Sequence, residues 1–459
     1  MIKIIKKNVV LLSFGNIFSQ LFVFLSMIFV TKHFSPEAFG KLGLFTSIST
    51  IFISIICLRY EQAIMLPNNK HEIDDILNLV ISIIIIFSLA SFAFLYLFFE
   101  VYEKNRFSLL EIIVLVVYSA TGGILISFQR YFSKFDQFKE ITFFNSFDKI
   151  FSQIFMVFSS LMNFIDASFL IGSKFWGRII AVGYILKKSN YRYRLNIKKN
   201  IFLAKKYFQY PKYNLWAALV ATLLFNFPVL FIDFFYSSNI TGHFNLSRMV
   251  LNMPMVLIGQ SISTVFYRNA VDKQNIENLD RLVIKTFKEI VSVFIVPFIW
   301  LSFNAFNFFV FLLGEEWRIC SYFIQIQSVA SLSTILATPF LPVFNVKNKL
   351  RLNLYWNLFS FVLIVLSFCI SSYFYKDYNI AVKFYSISIV ISNIVLLFLI
   401  GKITKIKFSL WKKKILHLIS LIGIVFCIFL FKEYFIVNTV LCILFFVIQL
   451  MRLIKGKKT

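Results

Sequence analysis

The sequence predicts an all-helical, polytopic membrane protein of about fourteen spans, on three observations. Hydrophobic residues fill 59% of its 459 positions, more than a water-soluble chain can hide in a core. They fall in runs of about twenty residues, the length that crosses the hydrocarbon as a helix. The basic residues between the runs are one-sided. With the N-terminus in the cytoplasm, 36 Lys and Arg belong to cytoplasmic segments, 8 to outer ones and 3 to spans, the asymmetry of the positive-inside rule.

The runs lie near 8–31, 39–58, 77–99, 109–128, 146–164, 167–186, 213–232, 244–266, 287–310, 319–340, 353–374, 381–401, 413–431 and 435–453. The first follows Met-Ile-Lys-Ile-Ile-Lys-Lys without an Ala-x-Ala site, so it reads as a retained span and not a cleaved signal. The even count puts both termini in the cytoplasm, and losing one run would scramble the charge alternation. All loops are short. The longest, 187–212, holds nine Lys and Arg and reads as a basic cytoplasmic connector facing anionic lipid. It separates a six-span lobe (1–186) from a second (213–401), with two further spans and a basic tail over 402–459.

An internal repeat supports the division. Residues 34–44 read Phe-Ser-Pro-Glu-Ala-Phe-Gly-Lys-Leu-Gly-Leu and residues 236–246 read Tyr-Ser-Ser-Asn-Ile-Thr-Gly-His-Phe-Asn-Leu. At an offset of 202 an aromatic (Phe34, Tyr236), a serine (Ser35, Ser237), a glycine (Gly40, Gly242) and a leucine (Leu44, Leu246) coincide. Each stretch joins two apolar runs. Six spans per copy is even, so the copies share one orientation, as in a parallel-repeat transporter.

Composition also narrows the function. A net charge of +26 on a soluble chain would point to nucleic acid. Here the charge flanks membrane runs, so no nucleic-acid partner is expected. Four of the five cysteines lie in apolar runs, which argues against a disulfide framework. There is no phosphate-binding Gly-x-x-x-x-Gly-Lys-Ser/Thr motif. The four histidines have no metal-ligand spacing. The expectation is a non-enzyme without cofactor or metal, one that moves a molecule; an H+ or Na+ gradient is the candidate driving force. A glycan polymerase or ligase would need a long outer loop, and a scaffold would not need an arginine inside a span.

Four stretches stand out together: Phe34-Ser-Pro-Glu-Ala-Phe-Gly40, Leu58-Arg-Tyr-Glu-Gln-Ala-Ile-Met-Leu-Pro67, the run from Gly242 through Arg248 and Pro254 to Gly259-Gln-Ser-Ile-Ser, and Gly314-Glu-Glu-Trp317. On these the chain resembles the Wzx-type O-antigen and repeat-unit flippases of the multidrug/oligosaccharidyl-lipid/polysaccharide exporter superfamily. Tyr236-Ser-Ser departs from the pattern in lacking a proline like Pro36. The resemblance implies a MATE-like, V-shaped pair of six-helix lobes, its cavity lined mainly by spans one, two, seven and eight. It implies a cargo: an oligosaccharide on undecaprenyl pyrophosphate, flipped across the bacterial inner membrane for O-antigen or capsule synthesis. Membrane lipids, a polysaccharide polymerase and a chain-length regulator are the implied partners. A drug or small-molecule exporter of the same superfamily is the alternative.

The residues themselves carry paired readings. Arg248, inside span eight, either attracts pyrophosphate through its guanidinium fork or pairs with Asp233 of span seven. Lys174 and Arg178 share a face of span six. They form a second basic station, or Lys174 snorkels while Arg178 pairs with Asp148 or Asp166. Asn16, Ser19 and Gln20 make a polar patch on span one, suited to sugar hydroxyls or to helix association. Arg59 and Glu61, after span two, either receive the substrate headgroup or form an interfacial ion pair. Asp233 is also a candidate proton or cation relay. Asn226, Pro228 and Pro254 mark hinges or static kinks, because proline cannot donate to the carbonyl four residues back.

Overall fold

The computed structural model describes residues 15, 18–101, 106–189, 191–255, 259–271 and 278–406. The described residues are helical, with nine helices long and apolar enough to span a membrane. In chain order the helices are α1 (Phe18–Val30), α2 (Pro36–Ile55), α3 (Lys70–Val101), α4 (Leu109–Lys134), α5 (Phe138–Leu161), α6 (Ala167–Ser189), α7 (Ile197–Lys206), α8 (Leu215–Phe235), α9 (Ser238–Pro254), α10 (Gln260–Val271), α11 (Leu279–Leu313), α12 (Arg318–Ala337), α13 (Pro342–Val346), α14 (Leu350–Phe374) and α15 (Tyr378–Ile403). Short 3-10 or π turns separate several of them.

The sequence explains where the helices begin. Ser35 caps α2 by accepting from the Ala38 N–H, with Pro36 at the first helical position and Glu37 in the first turn, where a missing donor and a negative charge both suit the N-terminus. Ser108 and Glu111 form a reciprocal capping box on α4, satisfying donors that lipid could not. Serines within the helices return their hydroxyls to carbonyls one turn back, as Ser127 does to Gly123 and Ser386 to Val382, so polar side chains pass through the apolar layer with their donors used.

Two compact units divide the chain, one up to Asn245 and one from Leu246 onward. In the first, α2, α4 and α6 run from one end (the far end) towards the end holding α7 (the connector end), and α3, α5 and α8 return. Helix α5 packs on α6, α3 on α4, and α2 on α4, α6 and α8. The core at the connector end is apolar and aromatic, built on Ile64, Val80, Phe128, Phe132, Phe144 and Ile185. Ile86, Leu89 and Phe94 on α3 are exposed, as on a surface solvated by lipid chains. In the second unit α11 packs on α12, α12 on α15, α14 on α15, and α10 on α13.

Three features depart from the expected spans. The eighth starts earlier than expected: α9 runs from Ser238 to Pro254, residues 255 and 259 are π-helical, and α10 runs from Gln260 to Val271. The connector is not all loop. Asn196 accepts from the Lys199 N–H and starts α7, which buries Asn200 and Leu203 while exposing Ile197 and Phe202. Helix α8, with Pro228 inside it, extends past the expected end to Phe235. The expected thirteenth and fourteenth spans lie outside the described residues.

Candidate functional site

At the far end the two repeat copies touch. A Cβ added to Gly40 would overlap the Ser238 carbonyl and stand 3.1 Å from the Gly242 nitrogen. A Cβ on Gly242 would overlap the Pro36 carbonyl and stand 2.9 Å from the Gly40 nitrogen. Pro36 and Ser238 are themselves 202 positions apart, so the contact maps onto itself under the repeat offset, as an isologous interface does between subunits. The missing side chains let two helix backbones approach this closely. One turn further in, a Cβ added to Gly43 would stand 2.8 Å from the side-chain nitrogen of Asn245, its repeat counterpart.

Asp233 ends the helix that leads into this crossing, and it is buried. Arg106 donates to its carboxylate and its carbonyl, both at 2.9 Å, and to Ser238 Oγ at 3.0 Å. Ser238 in turn donates to Asp233 Oδ1 at 3.0 Å. The segment before α4 is thereby tied to the junction of α8 and α9. Arg106 was missed in the sequence because it counted only as an outer charge. Arg248 lies further along α9, in the second unit; beside it Ser247 accepts from Gln327 at 2.8 Å.

The connector end is chemically different. Leu58 and Arg59 both adopt left-handed backbone, φ 45° and 65°, which bulky residues enter only at a cost of about 1–3 kcal/mol each. The strained pair turns α2 into a 3-10 segment, Tyr60–Met65, and brings Arg59 Nη1 to 3.3 Å from Glu61 Oε1. Glu61 is 1% exposed. Its other oxygen and the Arg59 Nε are buried without hydrogen-bond partners among the described residues. Burial pushes the Glu61 carboxyl above its ordinary range, against the pull of Arg59 and Arg130. Neighbouring elements hold the segment in place. Asn214 donates to Gln62 at 2.8 Å, Tyr60 to the Ala204 carbonyl at 2.9 Å, and Lys134 to the Met65 carbonyl at 3.0 Å. Asn214 closes a π turn (Tyr210–Asn214) at the start of α8, a local geometry often found at functional sites.

Arg178 lies in the middle of α6, held by α5 and α4. Its Nε donates to Asp148 at 2.9 Å and its Nη2 to the Tyr118 hydroxyl at 2.8 Å, with the guanidinium 4.1 Å from the Tyr118 ring centroid. Gly122 makes the space: a Cβ there would stand 2.8 Å from Arg178 Nη1. With its donors turned to Asp148 and Tyr118, this arginine pins three helices. Lys174, one turn away, is half-buried. On α1, Ser19 donates to Gly15 at 2.6 Å and to Ser146 at 3.0 Å, and Gln20 is half-buried. Asn16 lies outside the described residues. Asn226 donates back to the Thr222 carbonyl at 2.9 Å, two residues before the buried Pro228.

The model of the polysaccharide biosynthesis protein family matches residues 29–322, which include both ends just described. The chain belongs to that family. The fold agrees with solved transporters. A lipid II flippase, MurJ, in an inward closed conformation superposes with a TM-score of 0.77 at 15% identity, over 98% of this chain and all of that one. An inward-facing multidrug-resistance MATE transporter of the MOP superfamily gives 0.63 at 11% identity, over 86% and 96%. The MATE multidrug transporter DinF-BH gives 0.60 at 15%, over 88% and 97%. At these identities the likeness establishes the fold. No curated protein matches by sequence. This member of the polysaccharide biosynthesis family thus carries a MurJ- and MATE-like membrane fold, with the strained Arg59–Glu61 turn at one end and a glycine crossing beside the Arg106–Asp233 pair at the other.

Proposed function

We propose that this chain is a flippase that moves an oligosaccharide linked to undecaprenyl pyrophosphate from the cytoplasmic to the periplasmic leaflet, for O-antigen or capsule synthesis. The observation that carries the reading is the asymmetry of the two ends. The connector end, cytoplasmic by its basic charge, holds a strained backbone and an Arg59–Glu61 pair whose buried Nε and Oε2 have no hydrogen-bond partner among the described residues. The far end is closed by backbone contact between repeat-related glycines, a seam that can part without breaking a bond.

The physical task fits. A pyrophosphate and several sugars must pass about 30 Å of hydrocarbon, where each stripped polar group costs several kcal/mol. A path that opens to one side and then the other supplies water and hydrogen-bond partners throughout, while the polyprenyl tail stays in lipid. Arg59 and Arg248 are the residues proposed to meet the pyrophosphate, with a fork geometry that suits phosphate. Asp233 and Glu61 are the carboxylates proposed to couple transport to an H+ or Na+ gradient. A polymerase and a chain-length regulator would receive the product. The multidrug exporter is the second reading, because MATE transporters share the fold.

Deletion of the gene in its host tests the two. A flippase predicts loss of surface polysaccharide, accumulation of lipid-linked repeat units on the cytoplasmic leaflet, and rescue by wild type but not by Arg59→Ala or Arg248→Ala at equal expression. Unchanged polysaccharide with raised drug sensitivity would establish the exporter instead.

A further inference from the structure

At the far end, beside the glycine crossing, a cavity of about 480 Å³ opens among the starts of α2, α6 and α9 and the segment before α4. Its volume falls in the range of small-molecule sites, about 300–1,000 Å³. Glu37, Lys41, Arg106 and Asp166 line it, with Ser35 and Ser238. The two cations are fixed from behind by acids outside the lining: Lys41 by Glu111 at 2.8 Å and Arg106 by Asp233 at 2.9 Å. Ser168 steadies Glu111 by donating to it at 3.1 Å. Glu37 and Asp166 are exposed and have no ion-pair partner among the described residues. The cavity therefore presents two carboxylate acceptors without an ion-pair partner among the described residues, beside the two held cations Lys41 and Arg106.

This arrangement selects its ligand class. Among the described residues, counting the two acids behind, four carboxylates stand with two cations, and the three helix N-termini add back only about half a charge each. Among these residues no surplus of positive charge remains to attract a phosphate. Carboxylates and cations lining one polar hollow suit vicinal hydroxyls, each of which both donates and accepts. We propose that this cavity is an exit-side subsite for one or two neutral or amino-substituted sugars of the carried glycan, and that it does not hold the pyrophosphate. The inference rests on the flippase reading. Ser238 serves both the cavity and the crossing, because its side chain lines the one and its carbonyl packs on Gly40 in the other. A sugar held here thus touches both sides of the seam.

The test uses the purified full-length chain in nanodiscs and saturation-transfer NMR with glucose, galactose, N-acetylglucosamine and glucosamine as probes. The expected result is contact with at least one sugar, weakened roughly tenfold in Glu37→Gln/Asp166→Asn, the scale of one lost charged hydrogen bond, and retained in Lys139→Gln, an exposed position at the connector end. No contact with any probe, contact indifferent to the double variant, or binding of calcium alone would overturn it. The near-isosteric variants lie at exposed positions, and their folding is checked by thermal unfolding. Cells separate this proposal from the one beneath it. If deletion abolishes surface glycan yet the double variant restores it fully, the subsite is wrong and the flippase stands. If deletion leaves the glycan untouched, the flippase reading falls and the subsite's role with it.

Discussion

Gly40 and Gly242 stand 202 positions apart in sequence and pack against each other's helix, each leaving the space that the other's backbone fills. Neither tolerates a Cβ without backbone movement. Gly40→Ala or Gly242→Ala is therefore expected to force α2 and α9 apart, at about 1–3 kcal/mol, the usual cost of overpacking. A cysteine at Ser35, on an otherwise cysteine-free chain, should react faster with a membrane-impermeant maleimide in either variant. An unchanged rate would mean that the crossing yields elsewhere.

Arg106 ties the segment before α4 to the α8–α9 junction through Asp233 and Ser238. Arg106→Ala removes charge-assisted hydrogen bonds and should lower stability by about 1–3 kcal/mol. Arg106→Lys keeps the charge but not the fork, and should recover part of the loss. Thermal unfolding in detergent measures both; equal melting of all three proteins would show that the tie contributes nothing.

Arg178 and Asp148 are expected to be energetically coupled. A double-mutant cycle of Arg178→Met and Asp148→Asn should return a coupling of about 0.5–3 kcal/mol, the range for contacting residues. Strict additivity would contradict the geometry. Tyr118→Phe should cost about 1 kcal/mol, one hydrogen bond.

The Glu61 carboxyl is raised by burial. The folded chain then holds a proton that the unfolded chain has released, so this group's contribution to stability falls as pH rises from the ordinary value of 4.5 towards its raised value. Glu61→Gln should remove that part of the slope. Melting curves across this range check the sign, and a wild-type slope no steeper than that of the variant would contradict it.

The sequence carried the helices because lipid leaves few alternatives for an apolar run of about twenty residues. Its repeat offset pointed to the right residues but not to their meeting, since Gly40 and Gly242 announce a match and not a contact. The Arg178–Asp148 pair was one of two readings open in the sequence, because an arginine in mid-span needs a neighbour. Tyr118 and Arg106 were invisible. A tyrosine in an apolar run looks like packing, and a loop arginine looks like topology until the fold sets it beside Asp233. Helix α7 was hidden by its own lysines. Its start depends on one asparagine cap, and its buried side on packing against α3.

The central claim is that the Gly40–Gly242 seam must part for glycan to leave. Gly43 and Asn245 offer the direct test, since a Cβ on Gly43 would lie 3.1 Å from that of Asn245, close to the separation of about 3.8 Å in a disulfide. Gly43→Cys/Asn245→Cys is introduced into a chain freed of its five native cysteines, and surface polysaccharide is followed in cells under oxidation and then reduction. The account predicts that the oxidised pair stops the appearance of new surface glycan and that reductant restores it. Continued export with the disulfide shown to be complete would contradict it.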